Sequence, residues 1–268
     1  MKNKYLLSII TIVYNGEKHV EETINSVISQ KSINIEYIII DGGSDDGTME
    51  IINKASSKID LIISEKDKGI YDAINKGISK ASGKYIGLIH CGDFLKKDTL
   101  IHLCEKLKIL NSDVVYSNIF ILDENSGNIK KEIANHNDLK IQMSIFHPSC
   151  FIKKECYNIN GLYSLNYNLA SDYDFLLKLF LNGSSFHYLN SFFIYFRNDG
   201  ISSTNIFESV KENFLIRKKR IGLKSAFLFL IKRVLINSYY LLRKKLALLI
   251  LGKKKFNKLK KKINNEIK

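Results

Sequence analysis

The sequence predicts an α/β fold, a doubly wound and mainly parallel sheet followed by a basic helical tail, and three observations carry that prediction. Residues 6–13, 35–40 and 85–89 are near-continuous apolar runs rich in Ile, Val and Leu. Continuous rather than alternating apolar residues are the pattern of strands covered on both faces. Each run ends in a polar loop, Tyr14-Asn15, Asp41-Gly42-Gly43 and His90-Cys91-Gly92-Asp93. Helix-period stretches separate the strands, and in such sheets ligands bind at the carboxyl ends of the strands.

The elements follow in order. After the first strand, Val20, Ile24, Val27 and Ile28 share one helix face. The second strand closes in residues 41–48, and a helix begins near Met49. Residues 59–63 form a third strand, about 70–81 a helix and 85–89 a fourth strand. Asp98 stands as N-cap of a helix carrying Leu100, Leu103, Leu107 and Leu110. Residues 114–122 form a strand, 123–127 a turn and 150–152 a short strand, whereas 130–145 have no clear period. A helix over 171–181 stops at Asn182-Gly183, and 186–189 and 192–196 are two further short strands.

At 268 residues the chain can bury one sizeable core with an appendage. A hydrophobic fraction of 45% with 11% aromatics excludes disorder throughout. The net charge of +14 resembles a nucleic-acid signature until it is located. Residues 217–268 hold 18 Lys and Arg against the single Glu266, a net +17, and residues 1–216 carry −3. The division is therefore a catalytic domain at 1–216, with halves 1–95 and 96–216, and a basic amphipathic tail at 217–268. Cys91, Cys104, Cys150 and Cys156 lack Cys-x-x-Cys spacing, which favours reduced thiols in a cytosolic setting. The first apolar run is broken by Ser8 and Thr11, which suits a core strand better than a signal peptide.

Asp41 ends the second strand beside Thr11, Tyr14 and Asn15, where it is a candidate to accept hydrogen bonds from a nucleotide; turn building by Asp41 and Gly42-Gly43 explains the same residues equally well. Asp93 ends the fourth strand, and a carboxylate there suits Mg²⁺ or Mn²⁺ bridging two phosphates, or else caps a turn. His90 is a metal ligand or a satisfied strand-end residue.

Residues 6–93 resemble the N-terminal half of family 2 glycosyltransferases, which have the GT-A fold. The resemblance is carried by residues 8–15 (SIITIVYN), 36–48 (EYIIIDGGSDDGT) and 64–77 (SEKDKGIYDAINKG). It implies that Thr11, Tyr14, Asn15 and Asp41 contact the nucleotide of a sugar donor. Asp67, Gly69, Asp72 and Lys76 would line the same pocket, and Asp93 would be the surviving acid of an Asp-x-Asp metal motif for Mn²⁺ or Mg²⁺. His90-Cys91-Gly92-Asp93 departs from the commoner pattern by offering one carboxylate.

In the second half, residues 147–152 (HPSCFI), 160–163 (NGLY) and 170–177 (ASDYDFLL) resemble the family's acceptor segment. There an Asp at a helix start is the catalytic base, a role carried onto Asp172, with Asp174 as the rival. The helix dipole would lower the Asp172 pKa and keep it ionised. Pro148 marks a turn presenting His147 to the cleft, and a structural histidine explains the residue equally well. Gly200 and Ser202 match, loosely, a lid loop over the donor, with Asp199 as a plain turn residue.

The tail alternates basic clusters with apolar runs, none reaching about 18 residues, the length that spans a membrane. Such a stretch is an interfacial anchor on anionic lipid, with nucleic acid a competing partner disfavoured by the long apolar runs and helices packed on the domain a third reading. The resemblance implies an inverting, metal-dependent hexosyltransferase of bacterial surface-polysaccharide assembly (capsule or O-antigen). Its donor would be UDP-linked and its acceptor lipid-linked, with the protein peripheral on the cytoplasmic face. A sugar-1-phosphate nucleotidyltransferase lacks its Gly-rich, Arg-bearing loop here, and a non-catalytic sugar-nucleotide-binding or scaffold protein is the remaining alternative.

Overall fold

The computed structural model describes residues 4–123, 126–197, 205–235 and 238. Its centre is four parallel strands in the spatial order β3-β2-β1-β4: β1 (Tyr5–Val13), β2 (Ile35–Asp41), β3 (Leu61–Ser64) and β4 (Gly83–Leu88). The order reverses between β1 and β4, and in open α/β sheets the crevice at that switch is where ligands bind. The sheet continues through β8 (Cys150–Lys153), β6 (Val114–Leu122), β9 (Phe186–Arg197) and β5 (Phe94–Leu95), with β7 (Ile129–Glu132) beside β6. β8 runs antiparallel to both β4 and β6, so the second half of the sheet is mixed.

Side-chain alternation along β1 divides the core. Leu7 and Ile9 face α1 (Val20–Ile28) and α4 (Thr99–Ile109), packing with Val20, Ile24, Leu100 and Leu103. Ile10 and Ile12 face α3 (Ile70–Lys80) and α6 (Ser171–Leu181), with Ile74, Ile78, Leu176 and Leu179. Fully burying each such side chain is worth about 1.5–3 kcal/mol. The contact of α3 with β1 at Gly77 leaves no room for a side chain, since a Cβ there would sit 2.5 Å from Ile10 Cγ2. α2 (Thr48–Lys54) and α5 (Lys154–Asn160) complete the layers.

Four differences from the sequence expectations have local causes. Asp98 occupies the N-cap position in a left-handed conformation (φ 64°), and its side chain makes no capping bond. Residues 186–197 form one strand, because the Asn190-Ser191 break is absorbed by register shifts against Ser117–Ile119 rather than by a turn. Part of the unassigned 130–145 segment is β7 and a 3₁₀ turn over His136–Lys140. The fourth concerns the domain boundary at 216/217, which falls inside a continuous helix, α7 (Ile206–Arg220). Arg217 is buried, donates to the Lys140 carbonyl at 2.7 Å and stacks over Tyr173, so the first basic residues of the supposed tail belong to the domain. The four cysteines are free thiols.

Candidate functional site

The carboxyl ends of β1 and β2 are knitted together by their own polar residues. Asn15, in the left-handed region (φ 48°), donates from Nδ2 to Asp45 Oδ1 at 2.8 Å and accepts from the Asp45 amide at 3.0 Å. Tyr14, beside it, is 65% exposed, its ring open for stacking. Thr11 lies two residues inside β1, wholly buried, and its hydroxyl pairs with Tyr37 at 3.0 Å, a bond that ties β1 to β2. Asp41 is fully buried too. Its carboxylate accepts from the amides of Gly43 and Ser44 and from the hydroxyls of Ser44 and Ser64 at 2.5–3.1 Å, so of the two sequence readings the turn-building one is what its bonds display.

Around the start of α3 cluster Asp67, Gly69, Asp72 and Lys76, the residues expected from the sequence to line a donor pocket. Asp67 Oδ1 accepts from the Gly69 amide at 2.8 Å, and a Cβ at Gly42 would meet Asp67 Oδ2 at 2.5 Å, so the Asp67 carboxylate approaches the β2 loop only because residue 42 is Gly. Gly69 caps α3 at φ 114°, a conformation suited to glycine. Asp72 accepts from the Lys68 amide, and Lys76 reaches Glu65 at 3.0 Å and Asp72 at 3.5 Å.

At the end of β4, Asp93 is buried and accepts the Arg197 amide on Oδ1 at 3.1 Å. Thr23 of α1 braces the same loop, receiving the Gly92 amide and donating to the Asp93 carbonyl. Arg197 joins in through the Gly92 carbonyl at 2.8 Å and a contact with Glu22. Among the described residues no group of three or more His, Cys, Asp or Glu could cage a metal ion. The donor set fits the other mode, in which a hard cation is held by one carboxylate together with substrate phosphates.

Asp172 stands in the first turn of α6 and accepts from the Tyr71 hydroxyl at 3.1 Å and the Tyr173 amide at 2.8 Å. The dipole argument predicted a lowered pKa; the direction is the opposite. Burial raises the Asp172 pKa, and the Tyr173 amide, Tyr71 and His90 offset only part of that. Asp174, its rival, points to the other side of the helix. It is 4% exposed and makes a two-pronged ion pair with Arg220 of α7 at 2.7 and 2.8 Å, a structural role. Glu212, also of α7 and buried, accepts the amides of Asn168, Leu169 and Ala170 at 2.7–2.9 Å. α7 thus grips the chain on both sides of Asp172.

His147 is not presented to an open cleft. It is buried, with Nδ1 3.4 Å from His90 Nε2 and Nε2 3.0 Å from the Tyr163 hydroxyl. Burial pushes His90 down to about 3 and His147 to about 4, so both rings are neutral. Gly200 and Ser202, with Asp199, lie outside the described residues. Sequence reasoning gave no role to Tyr71, Tyr163, Glu212 and Arg220. The signal for Tyr71 and Tyr163 was their place in the segments 64–77 and 160–163, whereas Glu212 and Arg220 stood in a charged stretch with nothing to single them out.

The profile of glycosyl transferase family 2 matches residues 8–219. A curated relative, the glycosyltransferase GlyG of Streptococcus pneumoniae serotype 4, is 28% identical over 218 residues, covering 73% of this chain and 72% of its own. Among solved structures, S. aureus TarS 1-349 in complex with UDP-GlcNAc superposes with a TM-score of 0.64 at 20% identity, covering 78% of this chain and 64% of that one. The mannosyltransferase PcManGT from Pyrobaculum calidifontis, in complex with GDP-Man and Mn²⁺, gives 0.60 at 14% identity over 92% and 81%. These structural likenesses show the fold, which is GT-A. The chain belongs to glycosyl transferase family 2.

Proposed function

We propose that the protein is an inverting, metal-dependent glycosyltransferase that moves a sugar from a UDP-linked donor to a hydroxyl of a lipid-linked bacterial surface glycan. The observation that carries this reading is Asp172, a desolvated carboxylate at a helix start, near enough to His90 for each to shift the other's pKa. His90 follows β4 and Asp93 lies three residues beyond it, which supports a reading in which base and diphosphate end belong to one site. Asp172 takes the proton of the acceptor hydroxyl as its oxygen bonds to the anomeric carbon. The bond from that carbon to the diphosphate oxygen breaks, and its electron pair leaves with the nucleoside diphosphate. A raised pKa improves a carboxylate as a general base near neutrality.

Tyr14, Asn15, Asp67, Gly69, Asp72 and Lys76 border the donor side of the same crevice in this reading, while Thr11 and Asp41 support it from below. Asp93 would hold Mn²⁺ or Mg²⁺ together with the donor's phosphates, and such a cation offsets charge on the departing diphosphate. Among the described residues no helix is long and apolar enough to cross a membrane. Past α7, helical residues 223–235 leave Leu223, Phe227, Leu228 and Ile231 exposed among Lys224, Lys232 and Arg233. That face suits peripheral attachment to anionic lipid, where a lipid-linked acceptor would be met.

Calorimetric titration with UDP, GDP and dTDP, each with and without Mn²⁺, tests the donor site. Metal-enhanced binding of one nucleotide, lost in Asp93→Ala, is expected. Turnover of the matching nucleotide sugar should then disappear in Asp172→Asn while nucleotide binding persists. Binding without turnover in the parent protein would favour the non-catalytic alternative, and no binding at all would sink the transferase reading.

A further inference from the structure

α3 carries two pairs of polar side chains at i, i+4 spacing, each pair on one side of the helix. Asp72 and Lys76, 3.5 Å apart, form one. Tyr71 and Asn75 form the other, and both reach residues nearly a hundred positions further along the chain. Asn75 donates from Nδ2 to the Tyr163 carbonyl at 2.9 Å and accepts the Tyr163 amide on Oδ1 at 3.0 Å. Tyr163 is buried yet lies outside any strand or helix, so its main-chain groups need such partners. The Asn75 side chain supplies both, as a neighbouring strand would.

Tyr71 uses the position that this pairing fixes. Its ring stacks on that of Tyr163 with centroids 5.9 Å apart, and its hydroxyl donates to Asp172 Oδ1 at 3.1 Å. The Tyr173 amide donates to the same oxygen at 2.8 Å. Asp172 Oδ2 accepts nothing from the described residues and keeps accessible surface on a half-buried side chain. Two donors on one oxygen hold the carboxylate and leave the other oxygen for a ligand. Filling space at residue 75 would ask only for volume. The two bonds ask for one donor and one acceptor on a short side chain, which Asn offers and Asp or Leu does not.

We propose that Asn75 is a positioning residue for Asp172. By pairing with Tyr163 it sets α3 so that the Tyr71 hydroxyl engages Oδ1, and Oδ2 is the atom left to take the proton of the acceptor hydroxyl. Asp72 and Lys76 ride on the same helix, so one rigid element holds the donor side and the base in register. The base role of Asp172 rests on the transferase reading; the pairing of Asn75 with Tyr163 does not.

The first measurement is hydrogen exchange of the parent protein, followed amide by amide with ¹⁵N NMR. The Tyr163 amide should exchange slowly in the parent and in Tyr71→Phe, and roughly tenfold faster or more in Asn75→Ala. Exchange in the parent as fast as in an exposed loop overturns the proposal, with or without turnover. The second measurement is kinetic. Asn75→Ala should lower kcat roughly tenfold to a hundredfold, the range that a small misplacement of a reacting group costs, with nucleotide-sugar affinity unchanged. Asn75→Asp keeps the volume but not the N–H₂ donor and should show the same kind of loss, whereas a packing role alone would leave kcat intact. Because Asn75 acts through Tyr71, the loss should shrink to less than about threefold in a Tyr71→Phe background. Fully additive losses, or a fall in nucleotide-sugar affinity at unchanged kcat, overturn the proposal. If the parent turns over no nucleotide sugar, the base role of Asp172 fails, and the exchange result decides the pairing by itself.

Discussion

Replacing Arg220 by Met removes a charge 2.7 and 2.8 Å from the two oxygens of Asp174, a side chain only 6% exposed. The methionine fills most of the arginine's stem volume, so the main loss is electrostatic. A carboxylate left buried without its partner costs about 3–5 kcal/mol, far more than an exposed ion pair is worth. Replacing both residues, Asp174→Leu with Arg220→Met, should recover most of that, since a buried pair exchanged for apolar groups is often close to neutral. The assay is urea unfolding of the parent, both single variants and the double variant, read as a double-mutant cycle. A coupling energy of about 2 kcal/mol or more is expected, the upper range for residues in direct contact. If Arg220→Met shifts stability by less than about 0.5 kcal/mol, a typical surface effect, then α7 is not docked on α6 and the basic stretch is a detached tail after all.

Three further outcomes follow from the same geometry. His147 and His90 have folded pKa values below the ordinary 6.5, at about 4 and about 3, so the unfolded chain binds more protons as pH falls below 6.5. Between pH 7 and 5 the pair should lose about 3–4 kcal/mol of stability, at about 1.4 kcal/mol per pKa unit for each group, and His147→Gln should remove roughly half of that slope in unfolding titrations; a slope unchanged by the variant contradicts the neutral pair. Tyr71→Phe removes a bond that holds the Asp172 pKa down, so the acid limb of kcat, where Asp172 becomes protonated, should move to higher pH; an unmoved limb argues against Asp172 as the base. Glu212→Gln leaves at most one acceptor oxygen for three amides and should cost about 2–3 kcal/mol in unfolding free energy, charged hydrogen bonds being worth about 1.5–3 kcal/mol each, with a lower kcat at unchanged nucleotide affinity.

Much of the sheet was legible in the chain because its central strands are buried on both faces. Ile38-Ile39-Ile40 or Ile9-Ile10 must be apolar at every position to sit between two helix layers, so the run itself marks the strand. The loops at strand ends were legible for a similar reason, since Asn15, Asp41-Gly42-Gly43 and Gly69 are required locally by turn geometry whatever else they do. Motif order then placed the chain in its family. Those features are local in sequence.

What only the tertiary structure decided is everything that depends on partners far apart in the chain. Dipole reasoning has Asp172 acidified, whereas burial raises its pKa and the hydroxyl of Tyr71, 101 residues away, offsets only part of that. His147 becomes a buried link because His90 and Tyr163 close on it from two other elements. Charge density alone marks residues 217–268 as a tail, yet Arg217 and Arg220 find the Lys140 carbonyl and Asp174, and Glu212 finds three amides ahead of α6. A sequence lists charges but not their solvation or their neighbours. Desolvation and pairing energies fall steeply with separation, so they are settled only once folding sets the distances.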